Sequence, residues 1–292
     1  MIDNLKLNLI NTCANTLRSL PILTFYSSVD ISTGEIRTIN KKGFNVMPYE
    51  YAYFKGLTIK IYSNERITIS GSLHKYYNEG EHNANDFNFK AFLGVVEDLN
   101  QSLGVLPQNC ILRSLEVGIN FIPTIEIETL IKNSFLHRKK RGIECISYDK
   151  GNYKQFEHSQ YYIKLYDKSK QYHLETPLVR FEIKYLKMKK VNDLGYYSLQ
   201  DLVQKGLKPF KKILINELDA ILYFDNTIKS DSSMIDKFNN PLYWQDLASN
   251  TKRSSFYKKQ LSKLKELTKI HSENTMNDIR QSLINKIDEL LS

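Results

Sequence analysis

Two neighbouring segments of the chain alternate apolar and polar residues with the period of a β-strand. In 161–168, Ile163 and Leu165 would share one face. In 179–185, Val179, Phe181 and Ile183 would share one face. Successive side chains of a strand point to opposite faces, so each polar face is set by the same alternation. Those polar faces carry Tyr162, Lys164 and Tyr166 in the first segment and Arg180, Glu182 and Lys184 in the second. The pattern predicts two strands that share a core and present a chemically rich face.

A third segment, 115–121, follows the same pattern, with Glu116 and Asn120 on its polar face and Gly118 leaving room between them. If the three strands lie in one sheet, this face also gathers Glu182. Carboxylates from different strands could hold one hard divalent cation through oxygen ligands, as metal-assisted chemistry on a phosphodiester requires. A cross-strand salt bridge of Glu182 with Arg180 or Lys164 is the alternative explanation, and the residues alone leave both open.

Length, cysteine spacing and hydropathy limit the class of protein. A chain of 292 residues can bury a sizeable core without disulfides. Its three cysteines, Cys13, Cys110 and Cys145, lack the paired spacing of a zinc site or a disulfide framework. No apolar run approaches the roughly 20 residues that cross a bilayer, and no secretory signal opens the chain. We therefore expect no membrane association and a location in a reducing cytoplasm.

The charge of the chain favours a polyanionic partner. The formal net charge is +9 and the sequence pI is about 9.1. Clustered cations release condensed counterions from phosphates, which supplies most of the sequence-independent affinity for nucleic acid. The predicted DNA-binding residues are Lys75, in a small, polar loop after a strand, and the basic cluster Arg138, Lys139, Lys140 and Arg141. A lysine-rich composition inherited from a biased genome is the alternative.

The order of elements predicts an α+β fold, with a central antiparallel sheet flanked by helices and a helical C-terminal appendage. We expect a helix through about Ser19, strands between 22 and 70, a helix over 86–103, and the basic cluster in a loop. Further strands follow at 143–148, 161–167 and 178–188. Helices fill most of the rest, and the last two are divided near Ser272. The predicted domains are 1–224, catalytic, and 225–292, a helical accessory region.

A tyrosine on the polar face could act as a nucleophile towards phosphorus. Tyrosine has a pKa of about 10, so its phenolate needs a metal ion or nearby cations. The candidates are Tyr153, Tyr161 and Tyr166, and a structural role is the alternative for each of them. Arg180, Lys164 and Lys184 would offset the charge that builds up on phosphorus.

Four elements, taken in order, resemble the motifs of the filamentous-phage and plasmid rolling-circle replication initiators. They are Gly71-Ser72 with Lys75, then 116–121, then Ile163-Lys164-Leu165-Tyr166-Asp167-Lys168, then Arg180-Phe181-Glu182. The resemblance covers about residues 55–205. It implies an enzyme that nicks one strand at an origin, keeps the 5′ phosphate on tyrosine, leaves a 3′ hydroxyl for host polymerase, and later rejoins the strand.

The resemblance also implies an antiparallel sheet as catalytic platform, a Mg²⁺ or Mn²⁺ ion, and a role for Lys168 in the site. Glu116 stands where the family usually has aspartate, and Asn120 where a second acid is common. Arg113 is displaced by one position, and Gly151-Asn152-Tyr153 only loosely matches the family's tyrosine motif. These departures from the family pattern concern which residues bind the metal and which tyrosine is the nucleophile.

The sequence thus predicts a DNA nicking endonuclease and strand transferase, encoded by a phage, plasmid or related element. Its expected partners are single-stranded and duplex origin DNA, a host helicase and polymerase, and a second protomer. A non-catalytic origin-binding initiator and a single-stranded nucleic-acid-binding protein are the alternatives.

Overall fold

The computed structural model describes residues 1–27, 34, 45, 47–145, 151–230 and 233–292. Its strands are β1 Ile2–Leu9, β2 Tyr26–Ser27, β3 Tyr49–Phe54, β4 Leu57–Tyr62, β5 Ile67–Ser72, β6 Cys110–Phe121, β7 Ser134–His137, β8 Lys140–Cys145, β9 Tyr153–Glu157, β10 Tyr161–Asp167, β11 Val179–Tyr185 and β12 Ile221–Tyr223. Its α-helices are α1 Ala14–Arg18, α2 Leu73–Tyr77, α3 Phe89–Leu103, α4 Ile127–Asn133, α5 Lys168–Gln171, α6 Lys189–Asn192, α7 Leu199–Lys205, α8 Lys208–Asp219, α9 Ile235–Phe238, α10 Pro241–Ser249, α11 Ser254–His271 and α12 Thr275–Leu291. Short 3₁₀ helices cover Pro107–Asn109 and Thr251–Arg253. The predicted α+β class, with antiparallel sheet and a helical C-terminal region, is confirmed.

The chain forms two compact units. The first contains residues 1–117, 185–207 and 292, and the second contains 118–184 and 208–291. Strand β6 begins in the first unit and ends in the second. The compact units divide the chain differently from the predicted boundary at 224/225, which stays a prediction about domain organisation.

In the first unit the strand order is β6–β1–β5–β4–β3–β2, and the neighbouring strands pair in antiparallel fashion. The predicted N-terminal helix is wrong for its first half, because β1 lies between β5 and β6. Leu5, Leu7 and Leu9 are buried while Lys6 is exposed, which is the period of a strand. Hydrogen bonding on both edges favours this extended form over a helix.

The predicted helix at 86–103 is observed as α3. Asn88 caps its N-terminus by accepting a hydrogen bond from the Ala91 amide, and Gly104 ends it in the left-handed region at φ 65°. The helix buries Phe92 and Leu99 in the core of the first unit.

In the second unit the order is β12–β7–β8–β9–β10–β11. The predicted loop at the basic cluster is instead a tight turn between β7 and β8. Arg138 and Lys139 occupy it with φ of 46° and 68°, and Lys140 already belongs to β8. Two positive φ values suit the right-handed twist of a two-residue hairpin. Of the predicted strand at 143–148, residues 146–148 lie outside the described part of the chain.

The C-terminal helices bury an aromatic cluster against β7 and β12. Trp244 is fully buried at its centre. Around it lie Phe135, Leu136, Leu222, Phe224, Phe238, Leu247, Tyr257 and Leu264. The predicted separation of the last two helices near Ser272 is confirmed by α11 and α12. Among the described residues, no helix combines the length and apolar character needed to cross a bilayer.

Candidate functional site

A buried carboxylate on β11 is the centre of the candidate site. Glu182 is 2% exposed and accepts three hydrogen bonds. They come from Arg180 Nε at 2.6 Å, Lys164 Nζ at 2.8 Å and Tyr166 Oη at 3.3 Å. The polar face of β11 was expected to point outward, but Arg180 is also only 2% exposed. Both faces of this strand are therefore buried, and its charges are balanced internally.

Burial and neighbouring cations act in opposite directions on Glu182. Desolvation raises the pKa of its carboxyl, while the charges and hydrogen bonds of Arg180 and Lys164 lower it, and the net shift is downward. Glu182 is therefore an anion at neutral pH and a weak base. It can hold a proton donor or a cation in position, but it is poorly suited to remove a proton.

Strand β6 is shaped to accept this network. A Cβ atom on Gly118 would lie 2.5 Å from Glu182 Cβ and 3.0 Å from Arg180 Nη2, so only glycine permits the close approach. Two residues further along, buried Asn120 accepts a hydrogen bond from Arg180 Nη1 at 2.8 Å. The side-chain oxygen of Asn120, a predicted metal ligand, thus already accepts a hydrogen bond from the guanidinium.

An open pocket of about 480 Å³ in the second unit exposes part of this network. It is lined by Cys145, Gly151, Tyr153, Gln155, Lys164, Tyr166, Gln171 and Glu182. The register of β9 and β10 places Tyr153 opposite Tyr166 and Gln155 opposite Lys164. Two predicted tyrosines, one predicted lysine and the central carboxylate are thereby brought together.

The third predicted tyrosine, Tyr161, lies on the other face of β10 with Ile163. Its hydroxyl donates to Glu217 Oε2 at 3.4 Å, and the His158 ring stacks on it at 4.6 Å between centroids. Burial raises the pKa of Tyr161 to about 12, and the charge of Glu217 adds to that shift. The structure does not bring Tyr161 to the pocket.

The first unit contains a pair of buried carboxylates. Asp3 on β1 and Glu116 on β6 are both buried, and each offers a carboxylate oxygen within 4.8 Å of the other's. Asp3 accepts hydrogen bonds from Ser72 Oγ and, at 2.7 Å, from Asn83 Nδ2. Asn4 Nδ2 donates to Glu116 Oε2 at 3.0 Å. These amide and hydroxyl donors orient the two carboxylates.

Asp3 is the residue that the sequence analysis missed. A helix was expected there, and a helix would not have aligned Asp3 with Glu116. The alternation of Leu5, Leu7 and Leu9 with polar residues was the signal that could have identified the strand.

The remaining predicted cations have different surroundings. Lys168 is 1% exposed, donates to Gln171 Oε1 at 3.0 Å and lies 5.3 Å from the centre of the Tyr166 ring. Lys184 is half-buried on β11, and Lys75 is half-buried in α2. Neither lines the pocket.

The basic cluster is divided between structural contacts and solvent. Arg138 forms a two-pronged ion pair with Glu217, with Nε 2.9 Å and Nη2 3.1 Å from the carboxylate oxygens. Lys139 donates to Ser254 Oγ at 3.1 Å and lies 4.8 Å above the Tyr257 ring. Lys140 and Arg141 are exposed on β8. The last two present the most accessible charge.

Comparisons with known proteins give a structural likeness and no match in sequence. No family model matches the chain, and no curated protein matches it. A solved structure described as the rolling circle replication initiator protein from Geobacillus stearothermophilus is similar to it with a TM-score of 0.43 and 15% sequence identity. The similarity covers 85% of this chain and 94% of that one.

Proposed function

We propose that the protein is a replication initiator that nicks one DNA strand by tyrosine attack and later rejoins it. The observation that carries the proposal is the pocket that combines Tyr153, Tyr166, Lys164 and the buried anion Glu182. A phosphodiester bound there would meet a phenolic nucleophile and a cation, and both are groups that phosphoryl transfer uses. The motif resemblance to rolling-circle initiators supports the same reaction.

In the proposed step, the hydroxyl oxygen of Tyr166 attacks phosphorus and the bond from phosphorus to the 3′ oxygen breaks. The 5′ phosphate stays on tyrosine, and the phenolic proton is finally carried by the released 3′ hydroxyl. Reversal of the step rejoins the strand. Tyr166 is the preferred nucleophile because its hydroxyl is held 3.3 Å from Glu182, and Tyr153 opposite it is the second candidate. Tyr161 is the least supported of the three.

The cations have separable roles in this proposal. Lys164 lines the pocket and would stabilise the charge that develops on the phosphate oxygens. Arg180, Lys168 and Lys184 would stabilise the same charge on the phosphate from a greater distance. Because Arg180 already donates to Glu182 and Asn120, its main effect would be to hold these groups in place.

The donor chemistry fits a hard divalent cation. We propose that Asp3 and Glu116 ligate Mg²⁺ or Mn²⁺. Glu182 and Asn120 stay predicted metal ligands. Oxygen ligands from carboxylates are those that both ions prefer. The ion would polarise a phosphate oxygen.

The partners follow from this reaction. We propose single-stranded and duplex origin DNA as substrates, with Lys75 and the basic cluster of 138–141 contributing phosphate contacts. A host helicase and polymerase would act after the nick, in the bacterial cytoplasm, and a second protomer could supply further DNA contacts.

A non-catalytic origin-binding initiator is the second candidate function. Both oxygens of Glu182 accept hydrogen bonds from cations or a hydroxyl, which is also what a purely structural ion-pair network requires. This alternative predicts origin binding without any covalent product.

Incubation with labelled single-stranded oligonucleotides that tile the DNA around the element's origin tests the proposal. With Mn²⁺ present, we expect a covalent protein–DNA band on a denaturing gel and a free 3′ hydroxyl that a polymerase can extend. Chelation with EDTA and the substitutions Glu182→Gln and Asp3→Asn should each abolish the band. Tyr197→Phe, at an exposed tyrosine outside the pocket, is the matched control.

Complete absence of an adduct across all oligonucleotides, with tight binding retained, would favour the non-catalytic initiator. If the adduct still forms in Glu182→Gln, the reaction does not require this carboxylate.

A further inference from the structure

The outer face of β2, β3 and β4 in the first unit carries a ladder of five tyrosines: Tyr26, Tyr49, Tyr51, Tyr53 and Tyr62. Neighbouring ring centroids are 6.0 Å apart for Tyr26–Tyr51, 6.3 Å for Tyr49–Tyr51, 5.5 Å for Tyr51–Tyr53 and 5.6 Å for Tyr49–Tyr62. We call this set the tyrosine ladder. None of its residues lines the 480 Å³ pocket described above.

Strand geometry explains the ladder. On β3, residues 49, 51 and 53 share one face because Ala52 is buried on the other. The register then aligns Tyr49 with Tyr62 and Tyr51 with Lys60, while Tyr26 on β2 lies opposite Tyr51.

Two cations accompany the rings. Lys60 Nζ lies 3.9 Å from the centre of the Tyr49 ring, and the guanidinium carbon of Arg66 lies 4.0 Å from that of Tyr62. The nearby acids Glu50 and Glu65 both pair with Arg18. Aromatic rings next to cations are the surface on which bases stack while phosphates are neutralised.

Sheet stability explains only part of the ladder. Cross-strand aromatic pairs stabilise an antiparallel sheet, which accounts for the half-buried Tyr49, Tyr51 and Tyr62. Tyr53 is 67% exposed and Tyr26 is 53% exposed, so these two rings bury little surface. Their exposed faces are available to a ligand.

We propose that the tyrosine ladder binds single-stranded DNA by stacking of unpaired bases. This inference deepens the proposed function, since it names the surface that would hold the strand exposed at an origin. Every base has a π face, so the binding would tolerate many sequences, and duplex DNA would be disfavoured because its bases are already stacked.

The same sheet face offers the strand a polar path. The register links Tyr53 to Thr58, Thr58 to Ser70, Ser70 to Lys6, and Lys6 to Ser114. This row crosses five adjacent strands, or about 19 Å at the usual spacing of about 4.8 Å. It ends on β6, two residues before the proposed metal ligand Glu116. A strand stacked on the ladder could follow Lys6 towards that carboxylate.

Fluorescence provides a direct test of stacking. In Tyr53→Trp, titration with a 15-nucleotide oligo-dT should quench the new indole, because a stacked base contacts the ring. The single natural tryptophan, Trp244, is fully buried in the other unit and gives a constant background. Tyr197→Trp, at a tyrosine that is 55% exposed outside the ladder, should show no quenching.

Affinity measurements separate the ring from the charge. We expect Tyr51→Ala and Tyr53→Ala each to weaken oligo-dT binding about 5- to 150-fold, the range for loss of one base stack. Tyr53→Phe keeps the ring and should bind like the natural protein. Lys60→Ala should lower the slope of log affinity against log salt by about 0.7, the value for one phosphate of a single strand. Unchanged thermal melting would show that the variants fold.

Binding and cleavage report separately on the two proposals. Loss of binding in the alanine variants supports the ladder even if no oligonucleotide is ever nicked. Normal binding in those variants, absence of quenching in Tyr53→Trp, or preference for duplex over single-stranded DNA would overturn the ladder and leave the nicking proposal intact.

Discussion

Two buried carboxylates in the second unit have nearly the same surroundings. Glu182 is 2% exposed and Glu217 is 7% exposed, and each accepts from an arginine, from a second nitrogen donor and from a tyrosine of β10. The donors are Arg180, Lys164 and Tyr166 for Glu182, and Arg138, His137 and Tyr161 for Glu217. In both, burial raises the pKa of the carboxyl, but hydrogen bonds and neighbouring cations lower it by more, so the net shift is downward.

The difference lies in what the tyrosine faces. Tyr166 and Glu182 line the 480 Å³ pocket, whereas Tyr161 is stacked under His158, which in turn is hydrogen-bonded to His137 at 2.7 Å. A buried ion-pair network is therefore no evidence of catalysis by itself. The 480 Å³ pocket beside Lys164 and Tyr166 is the feature on which the proposed role of the Glu182 network depends.

Removal of the two hydroxyls gives the largest expected contrast. Tyr166→Phe should reduce covalent adduct by about 10³-fold or more, since a nucleophile has no substitute in the step it performs. Tyr161→Phe should retain the adduct, because the Tyr161 hydroxyl donates to Glu217 and does not line the pocket. Quantitative denaturing gels measure the yield of covalent adduct in both variants. Loss of adduct in Tyr161→Phe alone would reverse the assignment of the two networks.

The two arginines should differ in their effect on stability. Arg180→Ala leaves the buried Glu182 with one cation fewer, and we expect it to lower the free energy of unfolding by about 3–5 kcal/mol. Arg138 has a side chain that is 48% exposed, so Arg138→Ala should lower it by about 1 kcal/mol or less. Urea unfolding gives both values. Equal losses would mean that burial does not distinguish the networks.

Acid should weaken the Glu217 network in a defined pH range. The folded-state pKa of Glu217 is lowered to about 2 from an ordinary value of 4.5. A depressed carboxyl pKa stabilises the fold above the unfolded value, and this contribution is lost as pH falls from 4.5 towards 2, at up to about 1.4 kcal/mol per pH unit. Glu217→Gln should flatten stability over that range. An unchanged acid slope in thermal melts would contradict the shift.

The smallest expected effects concern the turn that supplies Arg138 to Glu217. Lys140→Ala and Arg141→Ala should each reduce the salt slope of duplex-DNA binding by about 0.9, the value for one phosphate contact. Lys139→Ala should change it less, because its amino group is already engaged by Ser254 and Tyr257. Fluorescence anisotropy at several salt concentrations measures the slopes, and identical slopes in all variants would exclude a duplex interface here.

Local alternation predicted much of the site because it depends only on neighbouring residues. It placed Lys164 and Tyr166 on one face of β10 and Arg180 and Glu182 on one face of β11. The same alternation puts Tyr161 with Ile163 on the opposite face, so its inclusion among the nucleophile candidates came from proximity along the chain. The N-terminal error had a related cause, because leucines at every second position were interpreted as a helix.

The sequence by itself determined the α+β class, the basic character and the polar faces of β10 and β11, since composition and a two-residue period are local properties. Only the tertiary structure decided which strands are neighbours, that Glu182 is buried rather than exposed, and that Glu182, Lys164 and Tyr166 line one pocket. Register and burial arise from contacts between residues far apart in the chain, and no local pattern encodes them.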